Sequence, residues 1–307
     1  MSKFVPRQSF PLSNVVTSNF QRHHRNALQK MEALRGDVDL FIELRDSRAP
    51  LATRNKMFDH LIGARPRMVV YTKKELSFFT EEMAKKLHPT SPHALIDCRS
   101  HADVTKLLDH WRDLYRSMSP APPLGMRVLI VGMPNVGKST LLNHLRERGT
   151  DKKARVQAVG GMPGVTRKVS GIIRVSESPS VYAYDSPGVF LPKVQDPEDM
   201  LKLILIGCVP QTIIDPVILS DYLLYRLNLL YPNGSAYKDI HGPTNDIDDI
   251  LSAIWRKRFA RKRKGNEVDE KAAALNWLDQ WRSGGQGRRK LKLLLDTLPE
   301  SYDPLLR

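Results

Sequence analysis

The sequence is poor in cysteine and has no long apolar segment. Its 307 residues include two cysteines, Cys98 and Cys208, and neither stands at a metal-ligand spacing. A disulfide scaffold and a zinc module are therefore not expected, and a reducing compartment fits. The longest apolar run, residues 203–209, is far shorter than the ~20 residues of a membrane-spanning helix, which excludes a transmembrane protein. With 41% apolar and 26% charged residues, the composition is that of a globular protein of about two domains.

Acidic residues are scarce beside basic ones, since 33 Asp and Glu face 48 Lys and Arg for a formal net charge of +15. Such an excess indicates a polyanionic partner. The densest basic run lies within residues 256–264 and consists of Arg256, Lys257, Arg258, Arg261, Lys262, Arg263 and Lys264. A charged run is usually a solvated helix face, but so few compensating acids favour contact with a nucleic-acid phosphate backbone.

The N-terminal end has no acid before Glu32. Residues 1–20 are basic and rich in serine, and they show neither a clear 3.6-residue apolar pattern nor the apolar segment of a secretory signal. This composition is typical of a mitochondrial transit peptide and predicts targeting to that organelle. The alternative is a disordered basic tail that docks on another molecule.

Beyond residue 37, short apolar runs alternate with helical periodicity. The runs predict strands at 38–44, 67–71, 94–97, 128–131 and 181–184, and the periodic segments predict helices at 54–62, 75–87, 101–117 and 138–148. This alternation predicts an α/β fold, a mostly parallel sheet with helices on both faces. Helices are also predicted at 199–209, 215–231, 246–264, 270–281 and 288–298. They would form a small all-α C-terminal domain.

The clearest motif is Gly132-Met133-Pro134-Asn135-Val136-Gly137-Lys138-Ser139. It matches the phosphate-binding loop pattern G-x-x-x-x-G-K-[ST] and stands between a predicted strand and a predicted helix, as that loop requires. Its glycines let backbone N–H groups converge on phosphate oxygens, and the helix N-terminus adds positive charge. Lys138 is predicted to bind the β- and γ-phosphates and Ser139 to bind Mg²⁺. The predicted nucleotide contacts are Asn135, Val136, Gly137, Lys138, Ser139 and Thr140.

Two later segments complete the predicted triphosphate site. Thr166, in Gly164-Val165-Thr166, is predicted to bind Mg²⁺ and to sense the γ-phosphate. Asp185-Ser186-Pro187-Gly188 follows the strand predicted at 181–184. Asp185 is predicted to hold Mg²⁺ through water, and Gly188 to donate its N–H to the γ-phosphate. Each segment is unremarkable alone, but their order behind the phosphate-binding loop predicts a nucleoside triphosphatase.

The motif that usually recognises guanine, [NT]-K-x-D, is not found after Gly188. The nearest match is Thr72-Lys73-Lys74-Glu75, directly after the strand predicted at 67–71. Its carboxylate is predicted to accept hydrogen bonds from the guanine N1–H and N2–H₂, and the alternative is an ordinary charged helix start. A base-recognition motif that precedes the phosphate-binding loop identifies a circularly permuted GTPase.

In this motif order the sequence resembles the circularly permuted ribosome-biogenesis GTPases of the YlqF/RbgA type, bacterial proteins with a mitochondrial counterpart. The resemblance extends over residues 20–298. Besides the segments above, it rests on Asp46-Ser47-Arg48-Ala49-Pro50, Leu191-Pro192-Lys193, and Trp281-Arg282-Ser283-Gly284 with Gly287-Arg288. It implies a targeting tail over 1–20, a GTPase domain over 21–190 and a helical domain that binds rRNA over 191–307.

The resemblance also shows where this chain departs from the family. Glu75 stands where the family has Asp, which lengthens the carboxylate side chain by one methylene. Thr72 stands where Asn is usual. Cys98 and Arg99 occupy the second base-contacting loop, which normally contains Ser-Ala. These four residues, together with Lys73, are the predicted base contacts.

Three further positions bear on hydrolysis. Val189 follows D-x-P-G, where Ras-like enzymes have the glutamine that orients the attacking water. The resemblance implies that a remote histidine takes over this role; here it is His23, whose Pro-Gly turn is lost. Asn135 matches the family position linked to a K⁺ ion. The site is therefore expected to hydrolyse GTP slowly until a ribosomal partner completes it.

The resemblance implies a monomeric GTPase that uses GTP/GDP, Mg²⁺ and K⁺ in assembly of the mitochondrial large ribosomal subunit. It places the protein in the mitochondrial matrix, with peripheral contact with the inner membrane as a further expectation. Expected rRNA contacts are the basic run and Arg288, Arg289 and Lys290. A non-hydrolysing ribosome-binding scaffold is the alternative, motivated by Glu75 and Val189. A membrane-surface protein is a weaker one, since no strong apolar face adjoins the basic run.

Overall fold

A single sheet organises the first part of the chain. The computed structural model describes residues 4–13, 15–18, 22–149, 172–258, 268–284 and 291–298. The strands are β1 (Leu40–Asp46), β2 (Arg67–Thr72), β3 (His93–Leu95), β4 (Met126–Gly132), β5 (Ile172–Ser176) and β6 (Val181–Asp185). Their order across the sheet is β3-β2-β1-β4-β6-β5. The pairs are parallel apart from the antiparallel β5–β6 pair, which confirms the predicted mostly parallel sheet.

Helices cover both faces of this sheet and then form a separate group. Those that accompany the sheet are α1 (Arg22–Leu34), α2 (Lys56–Ile62), α3 (Glu81–Leu87), α4 (His101–Ser117) and α5 (Lys138–Gly149). The C-terminal group is α6 (Pro197–Leu205), α7 (Pro216–Leu230), α8 (Ile247–Arg258) and α9 (Glu270–Arg282). Within the described ranges, no helix combines the length and apolarity needed to cross a bilayer.

The two faces of the sheet enter different apolar clusters because successive side chains of a strand point in opposite directions. Phe41 of β1 packs with Leu28 of α1 and Phe58 of α2. Its neighbour Ile42 belongs to the cluster on the other face, which contains Trp111 of α4 and continues into the C-terminal helices. The sheet and the helical group therefore share one continuous core.

Most predicted elements are present with shifted ends. The helix at 101–117 has the predicted bounds, whereas β1 lies two residues later than predicted, and the helix expected from residue 75 begins at Glu81. A short 3₁₀ turn at Lys74–Leu76 stands in place of its first part. The sequence prediction missed α1 and β5. The helix predicted at 246–264 is described as far as Arg258, and the rest lies outside the described residues.

The helix predicted at 288–298 is wrong for residues 291–298, which we name the C-terminal strap. Leu293 forms an isolated parallel bridge with Ser77. The Leu293 N–H donates to the Leu76 carbonyl at 3.0 Å, and the Leu295 N–H donates to the Arg48 carbonyl at 2.7 Å. These inter-segment bonds replace the i→i−4 bonds of a helix, so the strap is extended.

Residues 4–13 and 15–18, which we name the N-terminal strap, also pack against the fold. Arg7 pairs with Asp221 of α7 through two hydrogen bonds, of 2.5 and 3.1 Å. Phe10 contacts the rings of Tyr222 and Tyr225 at centroid distances of 5.3 and 5.7 Å. The transit-peptide interpretation stays a prediction. The described part of this segment packs on α7 through these contacts.

Candidate nucleotide-binding site

The phosphate-binding loop joins the centre of the sheet to α5. β4 ends at Gly132, and α5 begins at Lys138. Between them, Asn135 (φ 57°) and Gly137 (φ 105°) adopt left-handed backbone conformations, which favour glycine at the second position. A Cβ atom at Gly188 would lie 2.6 Å from the Pro134 backbone, so the D-S-P-G segment is packed directly on the loop.

Lys138 is held inside the curl of this loop. Its Nζ donates to the carbonyls of Gly132 and Met133 at 3.1 and 2.6 Å, and 6% of the residue is exposed. Burial lowers the pKa of this lysine to about 8, against an opposing effect of the Asp185 carboxylate. A positive charge is thus concentrated where the backbone N–H groups of the loop converge.

Asp185 ends β6 beside the loop and is 1% exposed. Neither of its carboxylate oxygens accepts a well-formed hydrogen bond from a residue that the structure describes, and burial raises its pKa. A buried carboxylate without such partners is costly unless a cation meets it. Ser139, the second residue of α5, is half-buried. Oxygen ligands of this kind fit Mg²⁺.

The predicted base-recognition segment, residues 72–75, is bonded directly to the phosphate-binding loop. Thr72 Oγ1 donates to the Val136 carbonyl at 2.6 Å, and Lys73 Nζ donates to the Asn135 carbonyl at 2.8 Å. Lys73 Nζ also lies 2.8 Å from an Asp46 carboxylate oxygen. This packing arises because β1, β2 and β4 are parallel neighbours, so their carboxyl ends meet at one edge of the sheet.

Glu75 lies in the 3₁₀ turn that follows β2 and is half-buried. It lines a cavity of about 520 Å³ together with Asp97, Ser100 and Lys292. Cys98 stands between Asp97 and the loop: it is buried, and its Sγ lies 3.4 Å from where a Cβ of Gly137 would be. The structure therefore brings the upstream segment and the 97–100 segment together beside the phosphate-binding loop. Arg99 is exposed at the rim.

Val189 is fixed immediately beyond Gly188. Its side chain is fully buried, its N–H donates to the Gly132 carbonyl at 3.2 Å, and its carbonyl accepts from Asn55 Nδ2 at 2.9 Å. A buried aliphatic side chain carries no group that can orient water. The loop and the residue after D-S-P-G are thus connected by one backbone hydrogen bond.

His23 is exposed on α1, and the adjacent His24 was missed by the sequence analysis. The two rings lie 4.0 Å apart, and the His24 ring is buried, 6.5 Å from the ring of Phe190. Burial, with a smaller effect of His23, lowers the pKa of His24 to about 4. The spacing of His24, Leu28 and Met31 on one helical face is the signal that could have identified it as a core residue.

Several predicted site residues lie outside the described residues. They are Thr166 with its neighbours Gly164 and Val165, the basic residues Arg261, Lys262, Arg263 and Lys264, and Arg288, Arg289 and Lys290. The side chain of Arg258 is likewise outside. Arg256 and Lys257 are exposed at the end of α8, and Lys257 Nζ donates to the Asp239 carbonyl at 2.9 Å.

The strand–loop–helix unit, with the base-recognition segment upstream in the chain but adjacent in space, defines a circularly permuted P-loop GTPase. The family described as 50S ribosome-binding GTPase matches residues 127–211. The GDP-bound structure of TM YlqF superimposes with a TM-score of 0.57 at 21% identity, over 87% of this chain and 100% of that one. This likeness supports the fold.

Full-length relatives identify the family. Mitochondrial GTPase 1 of Saccharomyces cerevisiae is 35% identical over 94% of this chain and 83% of its own length. Mitochondrial ribosome-associated GTPase 1 of Mus musculus is 36% identical over 92% of each chain. The chain belongs to the family of mitochondrial GTPase 1, also called mitochondrial ribosome-associated GTPase 1. It is therefore a mitochondrial GTPase that binds GTP and GDP, typically with Mg²⁺.

Proposed function

We propose that this GTPase acts in assembly of the mitochondrial large ribosomal subunit and hydrolyses GTP slowly until the subunit stimulates it. The observation that carries this proposal is Val189, an immobilised aliphatic residue where a water-orienting group is needed. The name of the mouse relative, ribosome-associated, supports the partner. The net charge of +15 supports RNA as the part of the subunit that is contacted.

The phosphates of GTP are assigned to the loop and to α5. Lys138 exchanges its two carbonyl partners for β- and γ-phosphate oxygens, and backbone N–H groups of residues 135–140, among them Val136, Gly137 and Thr140, surround the phosphates. Ser139, Asp185 and Thr166 would hold Mg²⁺, Asp185 through water, and the ion would neutralise charge that develops on the phosphates. Gly188 donates its N–H to the γ-phosphate.

The guanine base is assigned to the cavity beside β2. Glu75 accepts the two N–H groups of the base edge, while Thr72 and Lys73 hold this segment against the loop through the bonds to Val136 and Asn135. Cys98 and Arg99 are assigned to the second base-contacting segment, whose flanking residues Asp97 and Ser100 line the cavity. Replacing Glu75 by Asp is expected to preserve or tighten GTP binding, whereas Glu75→Ala should weaken it and reduce discrimination against ATP.

The water-positioning role is assigned to His23, which is exposed on α1. Asn135 is assigned to K⁺. The rRNA contacts are assigned to residues 256–264 and 288–290 of the helical domain, which we place at 191–307 beside a GTPase domain at 21–190. We place the monomer in the matrix, with peripheral contact with the inner membrane, and we retain residues 1–20 as the targeting segment.

The deciding experiment measures phosphate release from GTP by the full chain with and without isolated mitochondrial large ribosomal subunits. We expect slow release alone and at least a tenfold increase with subunits, in line with the scale of partner-supplied catalysis. Lys138→Ala should abolish both by removing the charge that binds the phosphates. Binding to subunits without any stimulation would contradict the proposed mechanism and favour a nucleotide-dependent scaffold.

The RNA assignment has its own test. Replacing Arg256, Lys257, Arg261 and Lys262 by Gln should leave intrinsic hydrolysis unchanged and lower the affinity for subunits. The salt slope, which is the slope of the log binding constant against log salt concentration, should fall by roughly one for each lost phosphate contact. Normal subunit binding by this variant across a salt titration would show that the run is a solvated face.

A further inference from the structure

Helix α1 has two chemically distinct faces. His24, Ala27, Leu28 and Met31 are buried. The opposite face exposes Arg22, His23, Arg25 and Lys30, and no acidic residue occurs in α1 before Glu32. A surface helix normally intersperses both signs of charge, so this face is a concentrated positive surface.

The buried face of α1 packs beside Val189 and Phe190, the two residues that follow Gly188. Leu28 and Met31 belong to the same apolar cluster as Val189, and the His24 ring faces Phe190. Close-packed interiors transmit small displacements. A ligand that engages the exposed face of α1 therefore binds a helix whose other face packs beside Val189.

Two acidic residues of neighbouring segments, Asp59 and Asp39, already have hydrogen-bond partners, and Glu32 lies in the last turn of α1. Asp59 of α2 pairs with Arg54 at 3.1 Å and with Arg67 at 2.5 Å. Asp39 accepts a hydrogen bond from the Arg127 N–H at 2.7 Å. Exposed Lys56 of α2 extends the positive character, since α2 packs beside α1.

We propose that Arg22, Arg25 and Lys30 of α1 bind the phosphate backbone of RNA, and that this contact couples docking to stimulation of GTP hydrolysis. The inference rests on the proposed function, because it names how the ribosomal subunit acts on the segment that follows Gly188. A phosphate backbone is favoured over a bilayer. Insertion of an amphipathic helix into a bilayer requires an exposed apolar face, and the apolar face of α1 is buried in the GTPase core.

The test compares two triple variants of the full chain. Arg22→Gln/Arg25→Gln/Lys30→Gln removes three charges from α1 and leaves His23 in place. Lys85→Gln/Lys86→Gln/Lys106→Gln removes three exposed charges from α3 and α4 and is the matched control. Each is assayed for binding to isolated mitochondrial large ribosomal subunits in a salt titration, and for phosphate release with and without subunits.

We expect the α1 variant to keep the basal rate of hydrolysis. The slope of its log binding constant against log salt concentration should be shallower by about three. Its affinity for subunits at 100 mM salt should be lower by roughly tenfold or more. Stimulated hydrolysis should fall at least as much at subsaturating subunits, while the control variant matches the unsubstituted chain.

Three outcomes would overturn the inference. Equal salt slopes and equal stimulation in both variants would show that α1 is only a solvated face, although the proposed function would survive. Failure of the unsubstituted chain to bind subunits would remove the proposed function and this inference with it. Charge-dependent binding of α1 to cardiolipin-containing vesicles, with subunit binding unaffected, would identify the surface as a membrane contact.

Discussion

A buried lysine without a phosphate has to satisfy three N–H donors within the protein. Lys138 directs two of these donors back onto the Gly132 and Met133 carbonyls of its own loop. These carbonyls are neutral acceptors, and the position is nearly free of water. The loss of hydration therefore outweighs the stabilisation that they give to the charged form, and it lowers the pKa of the ammonium group to about 8. Triphosphate oxygens would replace two dipoles with full negative charges and raise that pKa.

This difference predicts a pH dependence of nucleotide binding. Below pH 8, Lys138 is charged with and without GTP, so binding changes no protonation at this site. Above pH 8, the free protein has lost the proton and must take it up to bind GTP, so the affinity should fall as pH rises. Calorimetry at pH 7 and 8.5, in two buffers of different ionisation enthalpy, should show net proton uptake only at the higher pH. Ser139→Ala, which keeps the lysine, should retain the uptake, and proton release at pH 8.5 would refute the mechanism.

At the scale of elements, the N-terminal strap behaves as part of the helical group. Besides the Arg7 and Phe10 contacts, the Val194 N–H donates to the Thr17 carbonyl at 2.8 Å, and Ser18 Oγ donates to the Pro192 carbonyl at 2.8 Å. The strap thus contacts α7 and the 191–194 segment, which are far apart in sequence.

Phe10→Ala should lower the free energy of unfolding by about 2 kcal/mol, because it removes an aromatic ring half-buried against two tyrosines. Chemical denaturation of the full chain measures this change. Val16→Ala is the matched control, since Val16 is 53% exposed and its truncation should change stability by less than about 0.5 kcal/mol. Equal stability of the two variants would mean that the strap is a loosely attached tail.

The straps also show where prediction from sequence ends. Both ends of α4 were predicted correctly because its apolar spacing is a local signal. The leucines of residues 291–298 have helical spacing too, but the partners that make this segment extended, Leu76 and Arg48, are over 200 residues away. A local sequence pattern cannot indicate a contact between residues so far apart in the chain. In the site, the phosphate-binding loop was visible in the sequence, whereas the burial of His24 depended on packing against Phe190.

At the scale of the whole molecule, the end of α6 joins the GTPase part to the helical group. Arg282 of α9 donates to the carbonyls of Ile204 and Leu205, both at 2.9 Å. Arg48 donates to the Ile206 carbonyl at 3.2 Å, and Asn135 Nδ2 donates to the Gly207 carbonyl at 2.9 Å. Successive carbonyls at the end of one helix are thus bound by side chains from three different parts of the chain.

Arg48→Lys should weaken this junction without removing its charge. Arg48 is buried, forms a two-pronged ion pair with Asp46 at 3.0 and 2.8 Å, and lies 5.2 Å over the Trp281 ring. Lysine cannot reproduce the fork or the stacking, so we expect a loss of about 2 kcal/mol. We also expect the stabilisation of the helical group by GTP to fall.

The measurement is urea unfolding followed by tryptophan fluorescence, since Trp255, Trp277 and Trp281 lie in the helical group. GTP should raise the midpoint in the unsubstituted chain more than in Arg48→Lys. Lys271→Arg, at a side chain that is 70% exposed, is the control. An unchanged GTP-dependent shift in Arg48→Lys would show that the junction does not couple the two parts.

The contacts of the C-terminal strap can form only late in synthesis of the chain. A chain is synthesised from its N-terminus, so the base-recognition turn emerges early, while Leu293 and Leu295, which bond to Leu76 and Arg48, emerge among the last described residues. Until then, the turn that carries Glu75 lacks the backbone partner that holds its far end. A nascent chain therefore contains every nucleotide motif before Lys292 completes the lining of the cavity beside Glu75.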